Sequence, residues 1–406
     1  MEVYRITLLG HKDHGKSTLI GNLLMLTHSV TRSRINEARD YSKKLHKKFE
    51  PAFIIDSFHE EREMGLTIDI TRAEITYKSK AFSFIDVPGH EELIKNMISG
   101  ASNASTALLL VSAKPGEGIK GQTKRHLFIA RMLGISNIIV AINKMDSVSF
   151  SENRFEEIKS NISEFMNKIG FDNKKMAFVP ISAYKGDNLI ENSKRMEWYK
   201  GKPLIELVYK MAKQEQKKDD GALRISLQGF LNGRRDLVAG RIVRGHLKVG
   251  EPGICIVPLN INISVKSITV DGRKVKRAKV GSSVALELDK EIGKDVRGSI
   301  ICGELYCPIP KKILRAQMFF TKSDIKDVKI RFNGLELPCI SLKPIWYIDP
   351  LSGARSKNGS MKELSAIEGE LKLSEYVPAE RFDDTPELGR FSIYSRGEFA
   401  GIGIIL

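Results

Sequence analysis

The sequence predicts an α/β protein in which a doubly wound domain with a parallel sheet is followed by two β-barrel domains. Three observations predict this fold. The first half alternates near-continuous apolar runs with helix-period segments, which is typical of a parallel sheet covered on both faces. The second half consists of short alternating segments punctuated by glycine, a pattern that favours barrels. At 406 residues, the chain exceeds what one hydrophobic core usually supports.

The strands and helices of the first half are predicted from the period of their apolar residues. Strands are expected at Arg5–Gly10, Ala81–Asp86, Thr106–Ser112, Asn137–Ile142 and Ala177–Ile181. Helices are expected at Lys16–Leu26, Glu91–Ile98, Gln122–Leu133, Asn153–Ile169 and Leu204–Lys213. Strands that alternate with helices in this way form βαβ units, so these elements make one doubly wound domain.

Two breaks divide the chain. A polar run at 214–220 predicts a linker after the last helix of the first domain. A second break lies at Cys307–Pro310, where prolines flank Ile309. The predicted domains are therefore residues 1–218, 221–306 and 308–406, and the last two consist of strands joined by glycine-containing turns.

Composition and charge indicate a soluble protein with an anionic partner. Hydrophobic residues make up 42% of the chain and charged residues 28%, as in globular proteins. No apolar run approaches the roughly 20 residues that cross a bilayer, and Met1–Arg5 lacks a signal-peptide pattern. A cytoplasmic protein without a membrane partner is expected. The formal net charge of +16 favours RNA, since Lys and Arg release counterions when they neutralise phosphates.

Four cysteines occur, at positions 255, 302, 307 and 339. They have no C-x-x-C spacing and no histidine nearby, so neither a zinc site nor a disulfide framework is expected. We expect reduced thiols at core or surface positions, which fits the cytosol.

The segment from Gly10 to Ser17 fits the phosphate-loop pattern G-x-x-x-x-G-K-[ST], directly after a predicted strand and at the start of a predicted helix. This is the context that the pattern requires. Its backbone N–H groups can turn towards phosphates that also lie at the positive end of the helix. Lys16 is expected to reach the β- and γ-phosphates, and the Ser17 hydroxyl to ligate Mg²⁺. The candidate nucleotide-binding residues are Gly10, His11, Lys12, Asp13, His14, Gly15, Lys16 and Ser17.

Three further motifs follow predicted strands. The D-V-P-G run offers a carboxylate that can hold Mg²⁺ through water and a glycine N–H that can meet the γ-phosphate. In the N-K-M-D run, the aspartate can accept hydrogen bonds from N1 and N2 of guanine, donors that adenine does not present as a pair. The S-A pair can bring backbone N–H groups to guanine O6. The candidate residues are Asp86, Gly89, Asn143, Lys144, Asp146, Ser182 and Ala183.

Ligands bind at the carboxyl ends of the strands in sheets of this kind. All four motifs are predicted at such ends, in chain order. Together they predict a P-loop GTPase domain that binds GTP or GDP with Mg²⁺ and hydrolyses GTP.

In the forms that they take here, these motifs resemble those of translational GTPases of the elongation factor 1-alpha / elongation factor Tu family. The phosphate loop continues into Thr18, a further candidate nucleotide contact. The similarity is dense over roughly the first half, thins in the predicted middle domain and returns near the C-terminus. The similar segments are Gly10–Thr18, Glu61–Asp69, Asp86–His90, Ile94–Ser102, Trp198–Gly201, Gly240–Gly250 and Pro386–Phe391.

The resemblance implies three roles beyond the motifs themselves. Thr67 would close on Mg²⁺ and the γ-phosphate in the GTP state, His90 would orient the attacking water, and Asp13 would support the metal shell. His90 is therefore the candidate catalytic residue. The candidate metal ligands are Ser17, Thr67 and Asp86, the last through water. These roles suit phosphoryl transfer, which depends mostly on positioning and charge stabilisation.

Two residues depart from the family's pattern. Lys12 stands where the family usually has a small aliphatic residue, one side of a hydrophobic gate whose other side would be Leu66. Met64 replaces an arginine common in elongation factors. We expect an atypical intrinsic hydrolysis rate, with nucleotide binding retained.

The resemblance implies a monomer that delivers aminoacyl-tRNA, or a tRNA-shaped protein, to the ribosome; it allows a guanine-nucleotide exchange factor and implies no DNA partner. Basic stretches at 32–50 and 266–279 support RNA contact. Two alternatives stay open. One is the GTPase regulatory subunit of sulfate adenylyltransferase (ATP sulfurylase), which Ile54–Asp56 resembles, although that branch tends to carry an acidic residue at the position of His14. The other is a non-elongating translational GTPase with a changed cargo pocket.

Overall fold

The computed structural model describes residues 3–55, 71–86, 106–135, 137–172, 175–214 and 222–406. The chain divides into two compact units. The first comprises Met1–Glu215 with Pro350–Gly353, and the second comprises Gln216–Asp349 with Ala354–Leu406. The predicted helix at Glu91–Ile98 and nearly all of the predicted linker lie outside the described residues. Within the described ranges, no helix is both long and apolar enough to span a membrane.

The first unit contains a sheet with the strand order β2-β3-β1-β4-β5-β6, which is parallel except for the β2–β3 pair. Its strands are β1 (Val3–Leu9), β2 (Thr71–Tyr77), β3 (Lys80–Asp86), β4 (Thr106–Ser112), β5 (Asn137–Asn143) and β6 (Met176–Pro180). Its helices are α1 (Lys16–Leu26), α2 (Arg32–Lys44), α3 (Gly121–Met132), α4 (Glu152–Lys168) and α5 (Leu204–Gln214). The predicted strands and the predicted helices among the described residues are confirmed to within about two residues at each end, the usual scatter of such assignments.

Two elements of this unit were not predicted. β2 pairs antiparallel with β3 along its whole length and buries Ala73 and Ile75. Its apolar residues alternate with polar ones, whereas most of the predicted strands are near-continuous apolar runs. α2 is strongly basic, and its buried residues are Ala38 and Ser42. A helix with so little apolar surface carries almost no periodic signal.

The central strands of the sheet determine where the predicted motifs meet. β4 is buried at every position, and β5 at all but its first residue, as expected for a sheet with helices on both faces. Because β1, β4, β5 and β6 run parallel, their carboxyl ends lie at one edge of the sheet. The loops that follow these strands carry the phosphate loop, the N-K-M-D run and the S-A pair.

The second unit is built almost entirely of strands. The strands that belong to its first part are β7 (Arg224–Leu231), β8 (Arg234–Arg244), β9 (His246–Lys248), β10 (Ile254–Val257), β11 (Ile261–Ile263), β12 (Val265–Val270), β13 (Arg273–Val275), β14 (Arg277–Lys279), β15 (Ser283–Leu288) and β16 (Ile300–Gly303). The remaining strands are β17 (Lys311–Phe320), β18 (Val328–Phe332), β19 (Leu335–Ile348), β20 (Arg355–Ser356), β21 (Ser365–Val377), β22 (Arg390–Ser395) and β23 (Glu398–Ile405).

These strands form two larger sheets and a β9–β14 ribbon. The first sheet has the order β11-β10-β16-β7-β8-β15-β12-β13. The second has the order β18-β22-β23-β17-β21-β19-β20, and pairing of β18 with β19 closes it into a barrel. The predicted fold class, a parallel-sheet domain followed by β-barrel domains, is confirmed. The boundaries at 218, 221, 306 and 308 stay predictions.

A buried ion pair joins the two sheets of the second unit. Arg224 on β7 pairs with Glu380, and their side chains are only 7% and 10% exposed. The Arg224 Nη2 group also donates to the Tyr306 carbonyl, in the segment that leads to β17. Asn333 Nδ2 donates to the Ser299 carbonyl at 3.1 Å. Polar contacts therefore connect the end of the first sheet to the second.

The expectation that all cysteines are reduced is wrong for two of them. Cys302 and Cys307 form a disulfide, with their Cα atoms 5.5 Å apart. The short 3-10 turn Glu304–Tyr306 after β16 folds the chain back and brings the two residues together. This pairing depends on the path of the turn, so the spacing in the sequence does not reveal it. Cys255 and Cys339 are free thiols.

Candidate nucleotide-binding site

The phosphate loop leaves β1 and enters α1 through two glycines with positive φ. Gly10 has a φ of 136° and Gly15 a φ of 89°. A Cβ on Gly10 would lie 2.6 Å from the Leu110 carbonyl oxygen, and one on Gly15 would lie 2.6 Å from Asn143 Nδ2. Both positions therefore require glycine, because a side chain would collide with β4 or with the end of β5. The 3-10 turn Lys12–His14 lies between them.

α1 begins directly after Gly15, so the positive end of the helix faces the loop. The Lys16 ammonium donates to the Gly10 carbonyl at 3.1 Å, which lays the side chain across the loop. Ser17 and Thr18 follow in the first turn and are half-buried. The first N–H groups of a helix have no partner within it. Together with the Lys16 cation, they form a site that suits phosphate groups.

His14 anchors the phosphate loop to β4. Its side chain is fully buried, and Nδ1 lies 3.0 Å from the Leu110 carbonyl oxygen. A carbonyl can only accept, so Nδ1 carries the proton in this bond. Burial lowers the pKa of His14, which favours the neutral ring at neutral pH. Among the described residues, Nε2 has no hydrogen-bond partner. The neighbouring Asp13 is exposed, and its N–H donates to His11 Nδ1 at 3.4 Å.

Asn143 joins three loops that are distant in the sequence. It ends β5 and is 2% exposed. Its Nδ2 donates to the His14 carbonyl at 2.8 Å, and its Oδ1 accepts from the Ala183 N–H at 2.8 Å. Asn22 on α1 reinforces this joint, because its Nδ2 donates to the Ala183 carbonyl at 2.7 Å. The amide of Asn143 thus holds the phosphate loop and the S-A pair at fixed positions relative to β5.

Asp146 and Ser182 form the part of the site that would recognise a base. Asp146 lies in the 3-10 turn Met145–Val148, and its Oδ1 accepts from the Ser182 hydroxyl at 2.6 Å. The Ser182 hydroxyl also accepts from the Lys185 N–H at 3.2 Å. This clamp orients the carboxylate. The Ala183 N–H already donates to Asn143 Oδ1. It could reach guanine O6 only through a hydrogen bond shared between the two acceptors, so this contact stays a prediction.

A lysine–glutamate pair at this edge was not predicted. Lys144 has left-handed backbone, with a φ of 64°, and its Nζ lies 2.7 Å from Glu117 Oε2. The Lys144 ammonium, helped by the Ser112 hydroxyl, lowers the pKa of Glu117 to about 2. Glu117 lies in the turn after β4, where no recognised motif points to it. The pair holds Lys144, a predicted nucleotide contact, against the β4 loop.

Several predicted site residues lie outside the described ranges. Thr67, Gly89, His90 and the side chains of Lys12 and Asp86 lie outside the described part of the chain. Asp86 is the last residue of β3. Its backbone lies in parallel register with Leu8, the residue before the last one of β1. The candidate metal ligand Asp86 is therefore at the same edge of the sheet as the phosphate loop.

The loops that meet at this edge have the arrangement of a P-loop GTPase. A family model described as the elongation factor Tu GTP binding domain matches residues 1–214. The chain belongs to the elongation factor 1-alpha / elongation factor Tu family of translational GTPases, and it is a guanine-nucleotide-binding GTPase.

Relatives match beyond the GTPase domain. The chain is 33% identical to elongation factor 1-alpha of Pyrobaculum aerophilum, over 99% of this chain and 94% of the relative. It is 35% identical to elongation factor 1-alpha of Sulfolobus acidocaldarius, over 99% and 96%. A crystal structure of sup35 complexed with GDP covers 100% of this chain and 94% of that chain, with 24% identity and a TM-score of 0.43.

Proposed function

We propose that this GTPase carries aminoacyl-tRNA to the ribosome in its GTP form. One observation carries the proposal. Similarity to proteins named elongation factor 1-alpha extends over 99% of the chain, and so includes the strand-rich second unit. A nucleotide switch alone does not need this unit, whereas a carrier needs surface for its cargo. The names of these relatives favour translation over the sulfate adenylyltransferase alternative.

A basic segment in the second unit supports contact with RNA. It comprises residues 266–279, which contain the β12–β13 hairpin and β14, and Asp271 in the hairpin turn is its only acidic residue. A cluster of exposed cations favours binding to the phosphate backbone of RNA. The affinity of such binding falls as the salt concentration rises. The exposed basic residues are Lys266, Arg273, Lys274, Lys276, Arg277 and Lys279.

In this proposal the bound nucleotide is GTP with Mg²⁺. The donor set fits this ion, because a hydroxyl and carboxylate oxygens are the hard ligands that Mg²⁺ prefers, and Ser17 lies half-buried beside Lys16 at the start of α1. Mg²⁺ would neutralise charge on the β- and γ-phosphates. Ser17, Thr67 and, through water, Asp86 would hold it. The monomeric state, the cytoplasmic location and an exchange factor stay predictions.

The remaining roles divide between phosphates, base and water. Lys16 would bind the β- and γ-phosphates, Asp146 would select guanine, and His90 would orient the attacking water. Asn143 and His14 would hold the loops that present these groups. Further proposed nucleotide contacts are Gly10, His11, Lys12, Asp13, Gly15, Thr18, Gly89, Lys144, Ser182 and Ala183.

The carrier role predicts that the GTP-loaded protein protects the ester bond of aminoacyl-tRNA from hydrolysis. The GTP form should bind aminoacyl-tRNA about 5- to 150-fold more tightly than the GDP form, as expected for a coupling of 1–3 kcal/mol between nucleotide and cargo, and deacylation should slow as the bound fraction of the tRNA rises. The GDP-loaded protein and deacylated tRNA serve as controls, across a stated range of salt. Equal and strongly salt-dependent binding of aminoacylated and deacylated tRNA would show that the basic residues provide only a general affinity for RNA. That result would favour the non-elongating alternative.

The proposed catalytic role of His90 predicts that His90→Ala slows GTP hydrolysis about a hundredfold, while the affinity for GTP stays nearly unchanged. The measurement is single-turnover release of phosphate alongside nucleotide binding. His46→Asn is a matched control, since His46 is exposed and its left-handed backbone is one that asparagine tolerates. Wild-type turnover in the His90 variant would remove this residue from catalysis.

A further inference from the structure

Three cysteines from separate parts of the second unit meet at one point. Cys255 on β10 lies directly opposite Cys302 on β16 in the antiparallel register. Cys307 returns to the pair because the turn Glu304–Tyr306 folds back, held by the Glu304 N–H that donates to the Gly253 carbonyl at 2.7 Å. The three sulfur atoms all lie within 4.8 Å of one another. We call this group the three-cysteine cluster.

The spacing of the sulfur atoms is close to that of a metal site. Cys255 Sγ lies 3.9 Å from Cys302 Sγ and 2.9 Å from Cys307 Sγ. In a tetrahedral site with metal–sulfur bonds of about 2.3 Å, neighbouring sulfur atoms are about 3.8 Å apart. The Cys255–Cys302 separation already meets this value. Only the sulfur of Cys307, which is now bonded to Cys302, has to move outwards.

The surroundings of the cluster suit thiolate ligands of a soft ion. Cys302 is fully buried and Cys255 is 7% exposed, whereas Cys307 is half-buried. Apolar side chains that include Val243, Val257, Ile300 and Leu388 pack around the sulfur atoms. An apolar shell strengthens charge interactions inside it, and the charged groups Glu304 and Arg224 lie near the Cys255 thiol. The partly exposed side at Cys307 gives an ion access to the cluster.

We propose that reduction of the Cys302–Cys307 disulfide converts the three-cysteine cluster into a binding site for one thiophilic metal ion of the Zn²⁺ class. In the oxidised protein the cluster offers a single thiol, that of Cys255. A dithiol or phosphine reductant supplies two electrons, two protons complete the thiols, and the reductant is oxidised in return. The metal ion then displaces the thiol protons to solvent, and three thiolates become its ligands.

Metal binding at this point would hold β10, β16 and the turn after β16 together, next to the contact that joins the two sheets of the second unit. The turn between Cys302 and Cys307 carries the Tyr306 carbonyl, which accepts from Arg224. Arg224 in turn forms the buried ion pair with Glu380. An ion held by β10, β16 and Cys307 therefore fixes the turn on which this contact depends.

The test titrates the full-length, nucleotide-free protein with Co²⁺ and follows its absorption spectrum. Protein reduced with a phosphine and desalted without oxygen should bind one Co²⁺ with a thiolate-to-metal charge-transfer band, and Zn²⁺ should displace it. The oxidised protein should show no such band. Co²⁺ at the nucleotide site has oxygen ligands and produces no thiolate band, so the two sites are distinguished.

Two serine variants sharpen the test. Cys255→Ser should weaken binding by at least about a hundredfold, the upper end of what loss of an outer-shell partner costs, because a direct ligand is removed. Cys339→Ser is the matched control and should bind as the wild type does, since Cys339 lies on β19 with its Sγ directed to the Ser341 carbonyl. Because the cysteines lie in the second unit, far-UV circular dichroism and denaturant unfolding of each variant check that this strand-rich unit is folded. A reduced wild type without the charge-transfer band, or a Cys255 variant with wild-type affinity, would overturn the proposal.

Discussion

Asp146→Asn should lower the preference for GTP over xanthosine triphosphate by about a thousandfold, because two charge-assisted hydrogen bonds of roughly 1.5–3 kcal/mol each are exchanged. A carboxylate can accept from both N1–H and the N2 amino group of guanine. An amide has a single acceptor oxygen, so in the same side-by-side geometry it meets only one of the two guanine donors. Its N–H group can instead donate to the carbonyl that xanthine carries at C2. The Ser182 hydroxyl, 2.6 Å from Asp146 Oδ1, can accept or donate and so keeps the side chain oriented.

The measurement is competition of GTP and xanthosine triphosphate for the purified protein, with hydrolysis of each nucleotide as a second readout. Asp40→Asn is a suitable control, because it makes the same charge change at an exposed position on α2, where Asp40 pairs with Lys43. The control should keep the wild-type preference. Unchanged discrimination in the Asp146 variant would show that another group selects the base.

Asn143→Asp should lower the free energy of unfolding by about 3–5 kcal/mol, the cost of leaving a buried charge without a partner. The carboxylate could still accept from the Ala183 N–H. It could no longer donate to the His14 carbonyl, which lies 2.8 Å from Nδ2 in the wild type. Two oxygens would then face each other in a site that is 2% exposed. Nucleotide affinity should fall as well, since the phosphate loop loses its tie to β5.

This prediction has a pH dependence with a definite sign. Burial without a cation raises the pKa of a carboxyl group. The protonated form can donate to the His14 carbonyl. The loss of unfolding free energy relative to the wild type should therefore be largest at high pH and should shrink as the pH falls. Denaturant unfolding at several pH values measures it. Asn161→Asp, at an exposed position of α4, should change stability by no more than about 0.5 kcal/mol. A variant as stable as the wild type would show that Asn143 does not hold the joint.

The local patterns predicted the nucleotide-binding unit well. Lys16–Leu26 is a helix with the predicted bounds, and β4 has the predicted bounds of its apolar run. Such elements carry a strong period over their whole length, so neighbours in the sequence determine them. α2 and β2 differ from these elements. α2 is a basic helix with little apolar surface, and β2 is an edge strand whose apolar residues alternate with polar ones and do not form a continuous run.

Contacts between distant residues could not be predicted in the same way. The Glu117–Lys144 pair joins the loops after β4 and β5, 27 positions apart, and the Asn143–His14 bond spans 129 positions. The motifs indicated that Asn143 belongs to the site but not that its amide is the joint between loops. The spacing of the cysteines even pointed to separate reduced thiols.

The sequence by itself determined the family of this protein and its candidate site: a phosphate loop with its lysine and hydroxyl, an aspartate proposed to select guanine, and the alternation of strands and helices that places them at one sheet edge. These features depend on residue type and short-range period. Only the tertiary structure decided that Asn143 ties three loops together, that Glu117 holds Lys144, and that three cysteines meet between β10, β16 and the turn after it. Each of these depends on strand register and chain path, which bring together side chains that no local pattern relates.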